Sequence, residues 1–196
     1  MRKHRSYVFD KSARLRTLTL GLRCLCVLLI AFALAGCPET AGSQNDSGSN
    51  LKKITAMYLK SKLKFPDVPD ISADELIERM VAEKIIVVDN RDQDERDVSM
   101  IPGAITASEF EGNIKRETKA YADAVIVVYC TIGERSGIYA EKLRKRDIDA
   151  HNLRGGVLAW SHAGGGFVDG LGESTKRVHV YGVRWNLLAD GHTPVW

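Results

Sequence analysis

The 196-residue chain has room for one ordinary domain plus a leader and a linker. Its composition, 44% hydrophobic and 27% charged, excludes a fibrous or low-complexity protein. The formal charge of +3 is unevenly placed: residues 1–36 carry seven Lys and Arg against Asp10, a net of +6, which leaves −3 for the remainder. A mildly acidic body has no electrostatic footprint for nucleic acid, so no nucleic-acid partner is expected.

The N-terminus reads as an address. Residues 1–23 are basic and 25–35 form an uninterrupted apolar run, the arrangement of a secretory signal. That run is about half the ~20 residues a membrane-spanning helix needs. It ends in Leu34-Ala35-Gly36-Cys37, which resembles a bacterial lipobox. In such signals cleavage falls before the cysteine, which then receives several acyl chains and is durably anchored. The alternative is an ordinary signal peptide that happens to end near a cysteine. Residues 1–36 are therefore expected to be a lipoprotein signal peptide, and 37–51 a lipidated N-terminus and flexible Gly/Ser/Asn linker. The expected location is the bacterial cell envelope, facing the periplasm, with Cys37 in the membrane. Pro38, where Asp would favour inner-membrane retention in enteric bacteria, tilts this towards the outer membrane.

Next come the elements of the body. From Lys52 to Phe65, Ile54, Met57, Tyr58 and Leu59 among lysines predict a short amphipathic helix, broken by Pro66 and Pro69. Ser72-Ala73-Asp74-Glu75 has the form of a capping box, with Leu76, Ile77, Met80 and Val81 on one helical face. Ile85-Ile86-Val87-Val88 and Val125-Ile126-Val127-Val128-Tyr129 are apolar at every position, as strands buried on both faces are. Between them lie a turn at Pro102-Gly103 and a helix within about 108–122. After Cys130, Ile138, Ala140 and Leu143 mark another amphipathic helix. Residues 149–153 form a short strand, and Gly155-Gly156 opens a helical turn ending near Trp160. Helices alternating with buried strands predict an α/β fold with a parallel sheet covered on both sides.

The chemistry gathers at Cys130. Of four cysteines, Cys24 and Cys26 lie in the leader, Cys37 ends it, and Cys130 stands alone in the body. In the sequence Val127-Val128-Tyr129-Cys130-Thr131-Ile132-Gly133-Glu134-Arg135-Ser136, a buried strand delivers the thiol to its C-terminal end, where open α/β sheets place ligands. A short loop then enters a helix. Its backbone N–H groups and the helix dipole can accommodate an anionic sulfur, and Gly133 gives the loop freedom to curl. Arg135 adds positive charge or braces the loop. A small buried hydrophobe is the plain alternative for a lone cysteine.

Four motifs in order make the stretch from about Val68 to Gly164 similar to a single-domain rhodanese. They are Asp89-Asn90-Arg91, the segment 98–105 with Ser99-Met100 where Gly-His is usual, Cys130-x-x-Gly133-x-Arg135-Ser136, and Leu153-Arg154-Gly155-Gly156 leading to Ala159-Trp160. The resemblance implies a rhodanese-like three-layer fold: a mostly parallel five-stranded sheet flanked by helices over 52–166, with 167–196 as a C-terminal extension packed on it. It also implies that Cys130 takes a sulfane sulfur as a persulfide from thiosulfate or another persulfide and passes it to a thiol or cyanide. Thr131, Ile132, Gly133, Glu134, Arg135 and Ser136 would form the active-site loop. Asp89 and Arg91 would support it, first of all as a structural ion pair.

Other classes stay open. The same pocket could serve a non-catalytic module that senses sulfur or docks a partner. Phosphatase or arsenate-reductase chemistry ranks third, because four residues separate Cys130 from Arg135 where cysteine phosphatases have five, and Glu134 repels a dianion. Thiosulfate is itself a dianion, so Glu134 also weighs against it. No metal is expected, since the histidines lack ligand spacing, and no cofactor is implied. Residues 177–185 alternate like a half-buried strand. Trp185 and Trp196 are either ordinary packing residues or a cover for the Cys130 pocket.

Overall fold

The computed structural model describes residues 44–116, 121 and 123–196. The basic leader, the apolar run 25–35 and Cys37 lie outside these residues. Among the described residues no helix is long and apolar enough to cross a membrane.

Strands β2 (Ile85–Asp89) and β4 (Val125–Tyr129) pair in parallel along their whole length, from Ile85 with Val125 to Asp89 with Tyr129. β5 (Ala150–Leu153) lies on the other side of β4. Two short edge strands, β1 (Asp70–Ile71) and β3 (Ile105–Thr106), complete the order β1-β5-β4-β2-β3. Every pairing in this sheet is parallel. The expected five-stranded α/β sheet is thus formed, and it is parallel throughout.

The pleat explains why β4 is apolar at successive positions. Val127 and Tyr129 enter one buried cluster while Ile126 and Val128 enter the other. The first cluster is covered by α1 (Gln44–Lys62) through Ile54, by α2 (Ala73–Ala82) through Leu76, and by α6 (Gly156–His162) through Val157, Leu158 and Trp160. The second is covered by α4 (Ala107–Arg116) through Phe110 and by α5 (Glu134–Arg144) through Ala140 and Leu143. Tyr58 and Phe65 also enter the second cluster.

Several local expectations are corrected. α1 begins at Gln44, inside the stretch expected to be flexible linker. Its first turns have a tertiary partner, for Ser47 Oγ lies 3.0 Å from His162 Nδ1. The buried face of α1 is Ile54, Tyr58 and Ser61, at helical spacing, and Leu59 is exposed. Ser72 caps α2 by accepting from Glu75 N–H at 3.2 Å, but the Glu75 carboxylate turns to Arg79 and leaves the box half made. Leu76 is buried as expected, whereas Val81 at the end of that face is 89% exposed. A helix with no apolar signal, α3 (Gln93–Val98), follows β2.

Beyond α6 the chain makes two small ribbons. β6 (Phe167–Val168) pairs antiparallel with β7 (Ser174–Thr175), and β8 (Arg177–His179) pairs parallel with β9 (Thr193–Val195). Val168 also bridges Met100, the position where the sequence departs from Gly-His. The strand expected over 177–185 stops at His179. Tyr181 at φ 66° and Gly182 at φ 145° turn the chain into a 3-10 turn, Val183–Trp185. Val178, Val180, Leu187 and Leu188 from this segment join the first core.

Candidate active site

Cys130 follows β4 directly, at the carboxyl edge of the sheet, and only 1% of its surface is exposed. The Gly133 N–H donates to its Sγ at 3.2 Å, and Ser136 Oγ lies 3.5 Å from the same sulfur. Gly133 has φ 100°, and a Cβ there would come within 2.8 Å of the Tyr58 ring and 3.1 Å of the Leu153 carbonyl oxygen. Only glycine lets the loop turn its N–H onto the sulfur in this space. α5 starts at the next residue and directs its N-terminal partial charge at the loop.

The loop is held from below by α6. Val157 N–H donates to the Cys130 carbonyl at 3.0 Å and Leu158 N–H to the Thr131 carbonyl at 3.3 Å. A Cβ on Gly156 would overlap both carbonyl oxygens. The Gly155-Gly156 pair is therefore part of the site's construction as well as a helix start.

Asn152, buried on β5, holds the loop from behind. Its Nδ2 donates to the Gly133 carbonyl at 2.9 Å, and its Oδ1 accepts from Ser136 Oγ at 2.7 Å. Its second amide hydrogen reaches Tyr58 Oη at 3.1 Å. Tyr58 in turn donates to Asp70. Burial first, and then Asp70, push the Tyr58 phenol far above its ordinary value, so it remains a hydrogen donor.

Thr131 and Arg135 reach into a polar knot centred on Glu95. Arg135 Nη1 donates to Glu95 Oε2 at 2.6 Å and Nη2 to Oε1 at 2.8 Å. Thr131 Oγ1 adds a bond to Oε1 at 2.8 Å, and Asp92 N–H one to Oε2 at 3.1 Å. Burial opposes charge on Glu95, but Arg135 and these donors outweigh it and hold the carboxyl below its usual range. Arg135 also meets Asp92 Oδ2 at 3.0 Å, while Asn90 Nδ2 donates to the Arg135 carbonyl at 3.1 Å. Of the two roles open to Arg135 from the sequence, bracing is the one its contacts describe.

Glu134 lies at the first position of α5 and turns towards α1, where it accepts from Ser61 Oγ at 2.7 Å and from the Lys64 ammonium. Lys64 and Ser61 hold its carboxyl below the usual range. Its repulsion of anions is thus smaller than its place in the motif suggests. Asp89 and Arg91 form a fully buried pair one strand away, with Arg91 Nη2 2.7 Å from Asp89 Oδ2. Arg91 also donates to the Ser99 carbonyl, and Tyr129 Oη donates to Asp89 while accepting from Ile101 N–H at 3.1 Å. This cluster fixes the end of β4, and neither Asp89 nor Arg91 contacts Cys130.

A pocket of about 190 Å³ opens beside Cys130, lined by Thr131, Ile132, Glu134 and Arg135 and, from the C-terminal segment, by Tyr181 and Trp185. The Tyr181 ring lies 5.1 Å from the Arg135 guanidinium and 6.4 Å from the Trp185 ring. Trp185 is therefore at the pocket, while Trp196 is exposed and does not line it. Among the described residues no group of three or more His, Cys, Asp or Glu is placed to hold a metal ion.

The sequence does not mark Glu95, Asn152, Asn90, Tyr58 or Tyr181 as residues of the site. Asp92-x-x-Glu95 has capping-box spacing and could have exposed α3. Nothing local marks Asn152, Tyr58 or Tyr181, which reach the site through the tertiary fold.

Residues 72–163 match the family model described as the rhodanese-like domain. Similar solved structures include a rhodanese-like domain protein from Staphylococcus aureus, 28% identical with a TM-score of 0.41, covering 47% of this chain and 91% of that one. They also include a thiosulfate sulfurtransferase from Pseudomonas aeruginosa, 24% identical with a TM-score of 0.49, covering 62% of this chain and 23% of that one. No curated protein matches the sequence. The matched segment contains Cys130, its loop, the Glu95 knot and the Gly155-Gly156 support, so over residues 72–163 the chain is similar to the rhodanese-like domain.

Proposed function

We propose that Cys130 carries a sulfane sulfur as a persulfide and hands it to a thiol or to cyanide. The observation that carries this reading is the seat of the sulfur: Sγ receives the Gly133 N–H at 3.2 Å, and Cys130 lines a small pocket. In the first step the Cys130 thiolate attacks the outer sulfur of a donor R–S–S⁻ or of thiosulfate. The donor's S–S bond breaks, and R–S⁻ or sulfite leaves with the electron pair. In the second, an acceptor thiolate or cyanide attacks the outer sulfur of Cys130–S–S⁻ and the Cys130 thiolate is regenerated. No cofactor or outside reductant enters the balance. The family match supports the assignment, and the fixed loop supplies the preorganised donor such a step needs.

One observation favours a second reading, a sulfur-binding or partner-binding module without turnover. Arg135, the cation nearest the pocket, is already engaged by Glu95 and Asp92. The same engagement, with the short Cys130–Arg135 spacing, counts against phosphate chemistry. Continuous thiocyanate production from cyanide and a sulfur donor, abolished by Cys130→Ser, separates turnover from carriage alone. We further propose that the leader is removed and Cys37 acylated, which would tether the domain to the bacterial envelope.

A further inference from the structure

Two residues of the Cys130 pocket come from beyond the segment that matches the family model, which ends at residue 163. Tyr181 and Trp185 are both aromatic, and their rings neighbour each other at 6.4 Å. Tyr181 is held at φ 66°, a left-handed conformation that non-glycine residues rarely adopt, with its ring against Arg135. The backbone around it is fixed: Val180 N–H donates to the Val195 carbonyl at 2.8 Å and Trp185 N–H to Gly182 at 2.9 Å. The aromatic pair is thus a built part of the pocket.

The charge around the same pocket is already balanced. Arg135 and Lys64 are each ion-paired with Glu95, Asp92 or Glu134, and Arg184, whose guanidinium lies 5.8 Å from the Trp185 ring, brings the count to three cations against three carboxylates. A dianion entering here finds the one cation of the lining, Arg135, already paired, while Glu134, though paired with Lys64, remains a carboxylate in that lining. An apolar body finds Ile132, Tyr181 and Trp185. At about 190 Å³ the space is below the roughly 300–1,000 Å³ of drug-sized ligand sites, which limits that body to about a single ring or a short alkyl chain.

We propose that Tyr181 and Trp185 make this pocket select a small organic sulfane-sulfur donor, a monoanion with an apolar body, over inorganic thiosulfate. The proposal rests on the reading of Cys130 as a sulfur carrier and names the donor class. With an organic thiosulfonate, R–SO₂–S⁻, the Cys130 thiolate attacks the terminal sulfur and the bond between it and the sulfonyl sulfur breaks. The sulfinate R–SO₂⁻ leaves with the electron pair, and the outer sulfur stays on Cys130 as the persulfide anion. Thiosulfate reacts in the same way with sulfite as the leaving group, so the two donors differ in charge and apolar body while transferring the same atom.

The test measures single-turnover sulfur loading of the purified full-length chain by benzenethiosulfonate and by thiosulfate, with Cys130→Ser as the blank. Benzenethiosulfonate should load the wild type faster. In the double variant Tyr181→Ala/Trp185→Ala the ratio of the two rates should fall about tenfold, as expected for losing the apolar wall that only one donor uses. The pair Tyr181→Phe/Trp185→Phe should retain the preference, which separates loss of the wall from loss of folding. A faster rate with thiosulfate, or a ratio unchanged by removing both aromatics, overturns the proposal and leaves sulfur carriage standing. Loading by neither donor overturns this proposal, and if a small persulfide also fails to load, sulfur carriage itself falls with it.

Discussion

Arg135 holds Glu95 through both of its terminal guanidinium nitrogens, at 2.6 and 2.8 Å, and Glu95 is only 1% exposed. The arginine of the Cys-x-x-Gly-x-Arg loop therefore belongs to the scaffold that shapes the loop. The groups that reach the sulfur are the Gly133 N–H and the Ser136 hydroxyl, at 3.2 and 3.5 Å.

Replacing Glu95 by Gln should destabilise the fold. The buried carboxylate anchors α3 to the loop through Thr131, Arg135 and Asp92. Arg135 is 30% exposed and can rehydrate, so the loss should fall near or below the lower end of the ~3–5 kcal/mol for breaking a buried pair. Urea unfolding of Glu95→Gln beside wild type reads this directly.

The same carboxylate gives stability a pH dependence. Glu95 has its folded value depressed below the unfolded one, so its contribution is complete above the unfolded carboxyl value of about 4.3 and is lost as pH falls through the folded value. The gap in unfolding free energy between wild type and Glu95→Gln should be constant near neutrality and shrink as pH falls below about 4. A gap that widens with acid would contradict the assignment.

Asp89 and Arg91 offer a contrast, because both side chains are wholly buried. Asp89→Ala leaves a buried guanidinium without its counterion and Tyr129 without its acceptor, a loss of about 3–5 kcal/mol. Removing both charges, as in Asp89→Leu/Arg91→Met, should recover part of that loss. Thermal melts of the three proteins decide it, at roughly 2–4 °C per kcal/mol for a chain of this size.

Asn152→Leu tests the support behind the loop. The change removes the bonds to the Gly133 carbonyl, Ser136 and Tyr58 with little change in volume. The Gly133 carbonyl keeps the Gly137 N–H at 3.2 Å, so the cost falls on the buried Ser136 hydroxyl, which loses its acceptor at about 1–3 kcal/mol. Sulfur loading of Cys130 should slow by about tenfold or more even at temperatures where the variant is fully folded, because the Gly133 N–H is no longer held in place.

The contrast between what the sequence revealed and what it hid has a physical basis. β2 and β4 are buried on both faces, so their residues are apolar at nearly every position and stand out. The Cys130 loop and the Gly155-Gly156 turn stand out because close backbone approaches demand glycine. α3 was invisible because its buried residue is a glutamate, whose place in the interior depends on an arginine 40 residues away. Asn152 and Tyr58 were hidden for the same reason, being ordinary residues until the sheet brings them under the loop. The break at Tyr181 was hidden too, since alternation continues through it and only the backbone angle shows that the strand has ended.

For the proposed anchor, Cys37→Ala should abolish incorporation of labelled fatty acid when the chain is expressed in a bacterium. Labelling that persists in this variant would contradict acylation at Cys37.

The most direct test of the central claim is the intact mass of the purified chain after exposure to a sulfur donor, beside Cys130→Ser. The account predicts a gain of one sulfur atom on the wild type alone, removed by cyanide as thiocyanate. No gain with thiosulfate, benzenethiosulfonate or a small persulfide, or an equal gain on Cys130→Ser, would contradict it.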